Sequence, residues 1–553
     1  MSIRSWSPSH YTLNRGWEEE NLVEKYKQSF IQGTIILLAA GIVNRLLGFI
    51  PRIILPRVIG AEGVGLFQMG FPFLMLVLTL VTGGIPLAVA KLVAEAESKR
   101  DSKRVVRILH LSVLFTLVLG VTVTLACLAA IPALSRILFT DPRVGYPLLW
   151  MCPVIPIAAI SSVFRGYFQG RQNMIPTAAS QLMETITRII GMLVFSFAML
   201  PYGLEYAAGG AMVGMLAGEI AGLAVLLLQY RHYKSKQPVI AGDFPSPPLA
   251  KPYGKTRPDT TKSLLKRLIQ VSVPVTASRL VGSFSYFIES VLIVQSLALA
   301  GVATAVATMQ YGALQGMVMP VLFLPGVLTY SLSVSLVPSL SEANAKGDLK
   351  TIHTRLHQSI KLALISGAPF AVFLYVLADP ICYYLYGNSE IGVMLKMLAP
   401  AALFQYCQGP LQASLQALNQ PGKALLNTLI GSLIKLSLIF LLASKPEFGI
   451  LGAVLAISFN MMLVTVLHWN SVTRLLRFTM PSGDFLKICL LIPLTGAACM
   501  WVMNHAPVEG AFTRFLLSLT AGTTVYVLGL PLLGLVNRVD LQKLPFLNKR
   551  GPH

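Results

Sequence analysis

The chain has 553 residues, of which 54% are hydrophobic and only 12% are charged, and its formal net charge is +21. A soluble globular protein carries about 25% charged residues, so the composition excludes that class and indicates a membrane protein. The basic excess does not indicate a nucleic-acid-binding protein, because lysine and arginine lie mainly in the gaps between apolar segments, without dense basic tracts.

The first 29 residues are polar and include the acidic run Glu18, Glu19 and Glu20. They lack the short apolar core of a cleavable signal peptide. We therefore expect this segment to form a cytoplasmic N-terminal tail.

From residue 30 onward, long apolar segments alternate with short polar ones. A helix needs about 20 apolar residues to cross the hydrocarbon core, and about fourteen segments reach that length. An unpaired backbone is too costly in lipid and the alternating pattern of a barrel is absent, so the sequence predicts an all-α polytopic membrane protein. The predicted helices span 30–55, 66–93, 106–132, 146–170, 176–200, 207–229, 264–294, 308–338, 358–378, 391–416, 424–443, 449–469, 486–504 and 512–536.

Lysine and arginine are concentrated in alternate connections, for example in "ESKRDSKRVVR" (97–107) and "RLLRF" (474–478). This bias predicts that those loops and both termini lie in the cytoplasm. The long connection at 230–263 is rich in proline and lysine and has no apolar periodicity, which is typical of a flexible connector.

Two pairs of similar segments indicate an internal repeat. "NRLLGF" (44–49) resembles "SRLVGS" (278–283), and "YFQGRQNMIPTA" (167–178) resembles "SLQALNQPGKA" (414–424). Both offsets are about 240 residues, or six predicted helices, which indicates two parallel six-helix repeats followed by two extra C-terminal helices. The expected organisation is an N-terminal tail at 1–29, an N-lobe at 30–229, a connector at 230–263, a C-lobe at 264–470, two appended helices at 471–536 and a cytoplasmic C-terminal tail at 537–553.

A set of ionisable side chains lies inside the predicted helices, where a charge is costly and a functional role is the default expectation. Arg52, Lys396 and Lys435 lie near enough to helix ends for their charged groups to reach the membrane surface. Glu184 and Arg188 are four residues apart on one predicted helix, so they can neutralise each other. The remaining members of the set are Arg45, Glu219, Arg279 and Glu289.

Arg45 is the hardest of these to explain by structure alone. Arg45, Gly48 and Arg52 share one helical face by their spacing, and Pro51 permits a break in the helix. Arg279 holds the corresponding position in the second repeat, and two such arginines facing each other would repel unless water or an anion lies between them. A planar guanidinium suits a phosphate or pyrophosphate, so we expect Arg45 and Arg279 to bind an anionic group. Arg52 and Arg188 are secondary candidates for the same group.

The glutamines Gln310, Gln315 and Gln408 on predicted helices 8 and 10 could serve a sugar-bearing substrate or form hydrogen bonds between helices. Together with Asn44, Glu184 and Glu289 on other predicted helices, they are the candidates for a polar cavity. The sequence has no P-loop, nucleophile elbow or carboxylate dyad, and its six cysteines are scattered through apolar segments. We therefore expect a transporter without bond chemistry, cofactor or metal.

Residues 41–97, which begin "GIVNRLLGFIPRIILPRVIG", closely resemble the start of the stage V sporulation protein B group. These proteins are polysaccharide-type exporters of the multidrug, oligosaccharidyl-lipid and polysaccharide (MOP) flippase superfamily. "RGYFQGRQNMIPTAASQLMETITRI" (165–189) and "LVPSLSEA" (336–343) resemble the same group, and the similarity extends through both repeats.

This resemblance implies two six-helix lobes, alternating access, and a lipid-linked sugar substrate whose pyrophosphate meets cavity arginines. Arg45 matches one such arginine, and in related lipid II flippases the two extra helices accommodate the lipid tail. Predicted helix 8 departs from the lipid II flippases, because it has Gln310 and Gln315 but lacks their arginine. Lipid II itself is therefore left open as the cargo.

Three functions remain open at this point. The first is a flippase in the cytoplasmic membrane that moves a lipid-linked peptidoglycan or polysaccharide precursor outward, acting as a monomer with an ion gradient as one candidate energy source. The second is a drug or cation antiporter, and the third is a non-transporting scaffold of a wall-synthesis complex. A cation exporter should line its cavity with carboxylates, whereas predicted helix 1 offers two arginines and no acid, so the sequence favours the flippase.

Overall fold

The computed structural model describes residues 30–99, 101–236, 260–478 and 482–536. The two terminal tails and most of the connector expected from the sequence lie outside these ranges. Within the described ranges the regular elements are helices, without a strand. In chain order they are α1 (Phe30–Leu47), α2 (Ile50–Thr82), α3 (Ile85–Ser98), α4 (Ser102–Ile137), α5 (Gly145–Met151), α6 (Val154–Gly170), α7 (Ile175–Met199), α8 (Leu204–Lys236), α9 (Thr261–Leu299), α10 (Thr304–Gly312), a π-helix (Ala313–Val318), α11 (Met319–Phe323), α12 (Gly326–Ala345), α13 (Leu349–Val376), α14 (Ala378–Tyr386), α15 (Gly392–Ala417), α16 (Pro421–Ala443), α17 (Gly449–Leu476), α18 (Ser482–His505) and α19 (Ala511–Leu532).

Eleven helical stretches in the described part of the chain are long and apolar enough to cross a membrane. This finding confirms the all-α, multi-pass membrane fold that the hydropathy predicted. The count of fourteen crossings and the positions of the lobe boundaries stay predictions.

Predicted helix 1 is not continuous. The helix ends at Leu47 and resumes at Ile50, where Pro51 occupies the first turn of α2. Proline is tolerated there because its missing N–H would have had no helical partner. The segment after residue 55, predicted as a loop, is instead helical, and α2 bends at Gly60, whose φ of 68° is open to glycine but rarely to other residues.

Other predicted helices are also broken into shorter pieces. Predicted helix 2 is interrupted at Gly83 and Gly84, between α2 and α3. Predicted helix 4 is interrupted between α5 and α6, where Pro153 precedes the new helix. Predicted helix 8 consists of α10, the π-helix and α11, and Pro325 separates them from α12. Hydropathy alone did not reveal these interruptions, because the breaking residues are as apolar as their neighbours.

The chain forms two compact units. Among the described residues, unit 1 contains 30–51, 69–137 and 142–287, and unit 2 contains 52–68, 138–141 and the residues from 288 onward. Two helices therefore contribute to both units: α2 changes unit after Gln68, and α9 changes unit after Phe287.

Unit 1 is built around a close contact between α7 and α8. Four glycines recur every four residues along α8, so they lie on one helical face. A methyl group added at Gly214 would lie 2.1 Å from the backbone nitrogen of Met192, and one added at Gly218 would lie 2.7 Å from Cβ of Arg188. Small residues at such a seam let two backbones approach closely, which is a principal source of packing energy in membrane helices. The four glycines are Gly210, Gly214, Gly218 and Gly222.

In unit 2 the appended helices pack against α13. The hydroxyl of Tyr526 on α19 donates a hydrogen bond of 2.8 Å to the carbonyl of Ile365, and Lys361 forms a 3.0 Å ion pair with Asp484 on α18. The C-terminal helix pair is therefore an integral part of this unit.

We expect Gly214→Ala to destabilise the protein by about 1–3 kcal/mol, because the added methyl group overpacks the seam between α7 and α8. Thermal unfolding of the purified protein in detergent measures the effect. Gly41→Ala is the matched control, since a methyl group at Gly41 on α1 meets nothing within 4 Å. Equal melting temperatures for the two variants would contradict this account of the seam.

Candidate functional site

Arg45 and Arg52 flank the break between α1 and α2, and both side chains are exposed. Since the helix is interrupted between them, their spacing no longer places them on one continuous face. Arg45 belongs to unit 1 and Arg52 to unit 2. Next to Arg45, the side-chain oxygen of Asn44 is buried without a hydrogen-bond partner.

Arg279 of α9 reaches the break between α2 and α3, within unit 1. Its Nη1 donates a hydrogen bond of 2.8 Å to the carbonyl of Gly83, and the hydroxyl of Thr276 accepts one of 2.9 Å from the N–H of Gly84. These bonds satisfy backbone groups that the break leaves without helical partners. The Arg279 side chain is exposed, and this bond uses one of its five N–H donors, so it retains the capacity to bind an anion.

Three helices of unit 1 bring together the arginine–glutamate cluster, which consists of Arg165, Glu184, Arg188 and Glu219. Arg165 Nη2 on α6 donates to Glu184 Oε2 at 2.6 Å, and Arg188 Nη1 donates to Glu184 Oε1 at 3.3 Å. Gly218 and Gly222, on either side of Glu219 on α8, pack directly against Glu184, and Glu219 Oε2 is buried without a hydrogen-bond partner. The structure thus pairs Glu184 with Arg188, as their spacing indicates, and adds two groups from neighbouring helices.

Unit 2 contains a second charged group, the lysine–glutamate cluster of Glu289, Gln315 and Lys435. Lys435 Nζ on α16 donates to Glu289 Oε2 on α9 at 2.5 Å, and both side chains are largely buried, at 12% and 8% exposed. Gln315 Nε2 donates to the other carboxylate oxygen at 3.4 Å. Lys435, which the sequence left free to reach the membrane surface, is instead an internal counter-charge.

The π-helix that carries Gln315 is held by side chains from other elements of unit 2. Gln68 Nε2 on α2 donates to the carbonyl of Gln315 at 3.2 Å, and the hydroxyl of Tyr386 donates to the carbonyl of Met317 at 3.0 Å. A π-helix leaves backbone groups out of the regular ladder and is frequent at functional sites. The cluster therefore lies where α9, α16 and an irregular helix meet.

The remaining candidates have separate environments. Lys396 pairs with Asp379 at 2.5 Å, and both side chains are partly exposed. Gln408 Nε2 donates to the carbonyl of Met461 at 3.0 Å, which matches the interpretation of that glutamine as interhelical glue. Gln310 has a buried side-chain oxygen without a hydrogen-bond partner.

Sequence reasoning missed Arg165 and Gln68. Arg165 lies within predicted helix 4, about as far from its end as Lys396 is from the end of predicted helix 10, so the rule that selected the other intramembrane charges should have included it. The four-residue glycine spacing of α8 was also visible in "GGAMVGMLAGEIAG" (209–222), and it would have indicated that one face of α8 packs closely against another helix, without identifying that helix.

Comparisons with known proteins agree with this architecture. The sequence model of the family described as "Polysaccharide biosynthesis protein" matches residues 30–344, and that of the family described as "MatE" matches residues 274–441. The chain is 41% identical to stage V sporulation protein B of Bacillus subtilis (strain 168), over 95% of this chain and 99% of that protein. It is 27% identical to the lipid II flippase MurJ of the same organism, over 74% and 76% of the two chains.

Solved structures share the fold. A structure described as "Lipid II flippase MurJ, inward closed conformation" matches with a TM-score of 0.66 at 18% identity, covering 90% of this chain and 98% of the other. An inward-facing multidrug resistance MATE transporter of the MOP superfamily matches with a TM-score of 0.61 at 15% identity, over 80% and 94% of the two chains.

We expect Lys435→Met to destabilise the protein by about 3–5 kcal/mol, because it leaves the Glu289 carboxylate buried without its counter-charge. The double variant Lys435→Met, Glu289→Gln should recover most of that loss, since both charges are then removed. Thermal unfolding in detergent is the measurement.

Lys346→Met is the matched control for this prediction. Lys346 forms an ion pair with Glu342 at the same 2.5 Å, but the two side chains are 68% and 62% exposed, so little change is expected. A Lys435 variant as stable as the Lys346 variant would show that the buried pair is not needed for the fold.

Proposed function

Since the chain belongs to the polysaccharide biosynthesis protein family of the MOP superfamily of membrane transporters, we propose that it is a flippase for a lipid-linked peptidoglycan or polysaccharide precursor. The precursor would move from the inner to the outer leaflet of the cytoplasmic membrane by alternating access. Both termini would lie in the cytoplasm, as the distribution of basic loops predicts.

The observation that carries this proposal is the sign of the exposed charges. Arg45 and Arg279 in unit 1 present exposed guanidinium groups, whereas the carboxylates of Glu184 and Glu289 are buried against cations. Arg45 lies in the last turn of α1, at the break in predicted helix 1. A charge in the apolar part of a membrane costs about 2.5–3.5 kcal/mol on insertion scales, so we take the two exposed arginines as the candidate groups for binding substrate. This arrangement favours an anionic substrate group over a cationic drug.

The chemistry of the guanidinium matches a pyrophosphate. Arg45 and Arg279 would each offer a planar set of N–H donors to phosphate oxygens, in a setting where charge-assisted bonds are strong. The glycan would be held by hydrogen bonds, and no bond of the substrate would be made or broken.

The polyprenyl chain would stay in the apolar phase. A shallow, open apolar depression on the surface of α18 and α19 has a suitable character for such a chain. It is lined by Val502, Leu517, Thr520, Ala521, Thr524 and Val525.

We expect Arg45→Ala and Arg279→Ala each to reduce translocation at least about tenfold, because each removes charge-assisted hydrogen bonds of about 1.5–3 kcal/mol. The measurement is leaflet translocation of a fluorescent undecaprenyl-pyrophosphate-linked saccharide in vesicles that contain the purified protein. Arg45→Lys should remain impaired if the planar guanidinium is required, and it should be active if net charge suffices.

Arg231→Ala is the control, since Arg231 is an exposed arginine near the end of α8 and outside the proposed site. Full activity of both Arg45→Ala and Arg279→Ala would refute the assignment of the anion site. If the wild-type protein moves no undecaprenyl-pyrophosphate cargo, the flippase proposal itself fails.

A drug or cation antiporter is the second candidate, because the MatE family model matches residues 274–441 and a multidrug transporter shares the fold. Efflux of a cationic dye from the same vesicles separates the two functions. Dye transport without lipid translocation would favour the antiporter.

The similarity to stage V sporulation protein B further suggests a role in the synthesis of the spore wall. We expect this chain to restore sporulation in a Bacillus subtilis strain that lacks that protein, and Arg45→Ala to fail to do so at equal membrane abundance. Complementation by Arg45→Ala as complete as that by the wild type would contradict this extension.

A further inference from the structure

Helix α3 in unit 1 carries an exposed cation, Lys91, to which nothing above gives a role. Predicted helix 2 ends at residue 93, but α3 continues to Ser98, so Lys91 lies about two turns before the end of the helix. One face of α3 is exposed, and Lys91 is its charged member. The residues of this face are Leu87, Lys91, Ala94 and Ser98, which follow helical spacing.

The other faces of α3 are covered by protein. A methyl group added at Gly170 of α6 would lie 2.6 Å from the backbone oxygen of Ala90, so α6 packs directly against that side. Ala88 and Leu92 are buried in an apolar cluster that includes Ile108 of α4. The exposed face is therefore the side of α3 that neither α4 nor α6 covers.

Helix α9 runs beside α3 in the opposite direction. Near one end of α3, Arg279 donates to the carbonyl of Gly83 at 2.8 Å. Near the other end, Arg267 Nη2 donates to Glu95 Oε2 at 2.6 Å. Lys91 lies between these two contacts, about 12 Å along the chain from Gly83 at the helical rise of 1.5 Å per residue. The exposed groups of Lys91 and Arg279 therefore follow each other along one pair of helices.

The acid that is best placed to neutralise Lys91 is engaged elsewhere. Glu95 follows Lys91 at the four-residue spacing at which opposite charges on a helix usually pair. Its carboxylate instead accepts from Arg267, which belongs to α9. In the part of the chain that the structure describes, no acidic side chain forms an ion pair with Lys91. The ammonium group is thus available to an anion from outside the protein.

The position of Lys91 relative to the membrane follows from the basic loop at 97–107, which the sequence predicts to be cytoplasmic. Since α3 ends at Ser98 beside this loop, Lys91 lies between the cytoplasmic end of unit 1 and Arg279. An anion that approaches Arg279 from the cytoplasm along the exposed face of α3 meets Lys91 first.

We propose that Lys91 is a capture site for the anionic group of the substrate, which it binds at the cytoplasmic side of unit 1 before Arg279 and Arg45 take it over. This role rests on the proposed function. An ammonium is a hydrated point charge that attracts an anion from many directions, whereas a guanidinium holds it in a fixed, forked geometry. A lysine therefore suits capture, and the arginines suit the binding that follows.

Acylation of the native lysine tests the site without reference to transport. The purified protein in nanodiscs is treated with a membrane-impermeant, amine-reactive acetylating reagent, and peptide mass spectrometry follows Lys91. We expect undecaprenyl pyrophosphate at ten times its dissociation constant to slow acetylation of Lys91 about tenfold, because the unoccupied fraction falls by that factor. Undecaprenol, which lacks the pyrophosphate, should give no protection.

Lys266 is the matched control, because it is an exposed lysine of the same unit in the first turns of α9. Its acetylation should be the same with and without the lipid. A Lys91 that is not acetylated, or is acetylated equally fast in the presence of undecaprenyl pyrophosphate, would overturn the proposal. Equal protection of Lys91 and Lys266 would also overturn it, since the lipid would then coat basic groups in general.

Vesicle translocation tests the role in transport. At low substrate, Lys91→Gln should be about tenfold slower than the wild type, the usual order for loss of a charge-assisted hydrogen bond. It should approach the wild-type rate at saturating substrate, whereas Arg279→Ala should stay slow. Added salt should slow the wild type more than Lys91→Gln at low substrate, because screening weakens capture by the ammonium. Lys91→Arg should retain capture, and Lys266→Gln should behave as the wild type.

Two results in the vesicles would refute the capture role. One is a Lys91→Gln variant that equals the wild type at every substrate level and salt concentration. The other is an equal loss at low and saturating substrate, because that pattern marks a general defect in transport. Absence of wild-type translocation under all conditions would refute the proposed function, and protection of Lys91 from acetylation would then decide the anion site by itself.

Discussion

The free-energy cost of placing a charge inside an apolar helical bundle governs where the polar side chains of this protein lie. The cost is offset in two ways. Some charges pair inside the protein: Lys435 and Glu289 neutralise each other, and Arg165 and Arg188 together hold Glu184. Others stay at the surface, as the exposed guanidinium of Arg45 on α1 does.

The same reasoning applies to the backbone. Broken helices leave N–H and C=O groups without helical partners, and in lipid those groups must be satisfied from within the protein. Arg279 and Thr276 satisfy the break at Gly83 and Gly84, while Gln68 serves the π-helix. At these two irregular segments, side chains from other helices replace the missing helical partners.

Much of the fold could be predicted from the sequence, because hydropathy and helix length directly reflect the thickness of a membrane. The pair Glu184 and Arg188 was also predictable, since both lie on one helix four residues apart. Arg165 and Lys435 are different: their partners come from other helices, and nothing in the spacing of the sequence indicates which helices meet. The break at Gly60 was missed because a single glycine interrupts an apolar run without changing its hydropathy.

α2 and α9 each contribute to both units, because residues 52–68 of α2 lie in unit 2 and residues 261–287 of α9 lie in unit 1. Each helix therefore passes from one unit into the other without a loop between them. A cut in a loop cannot release either unit as an intact fragment, since separation would have to break α2 and α9 within their helical turns.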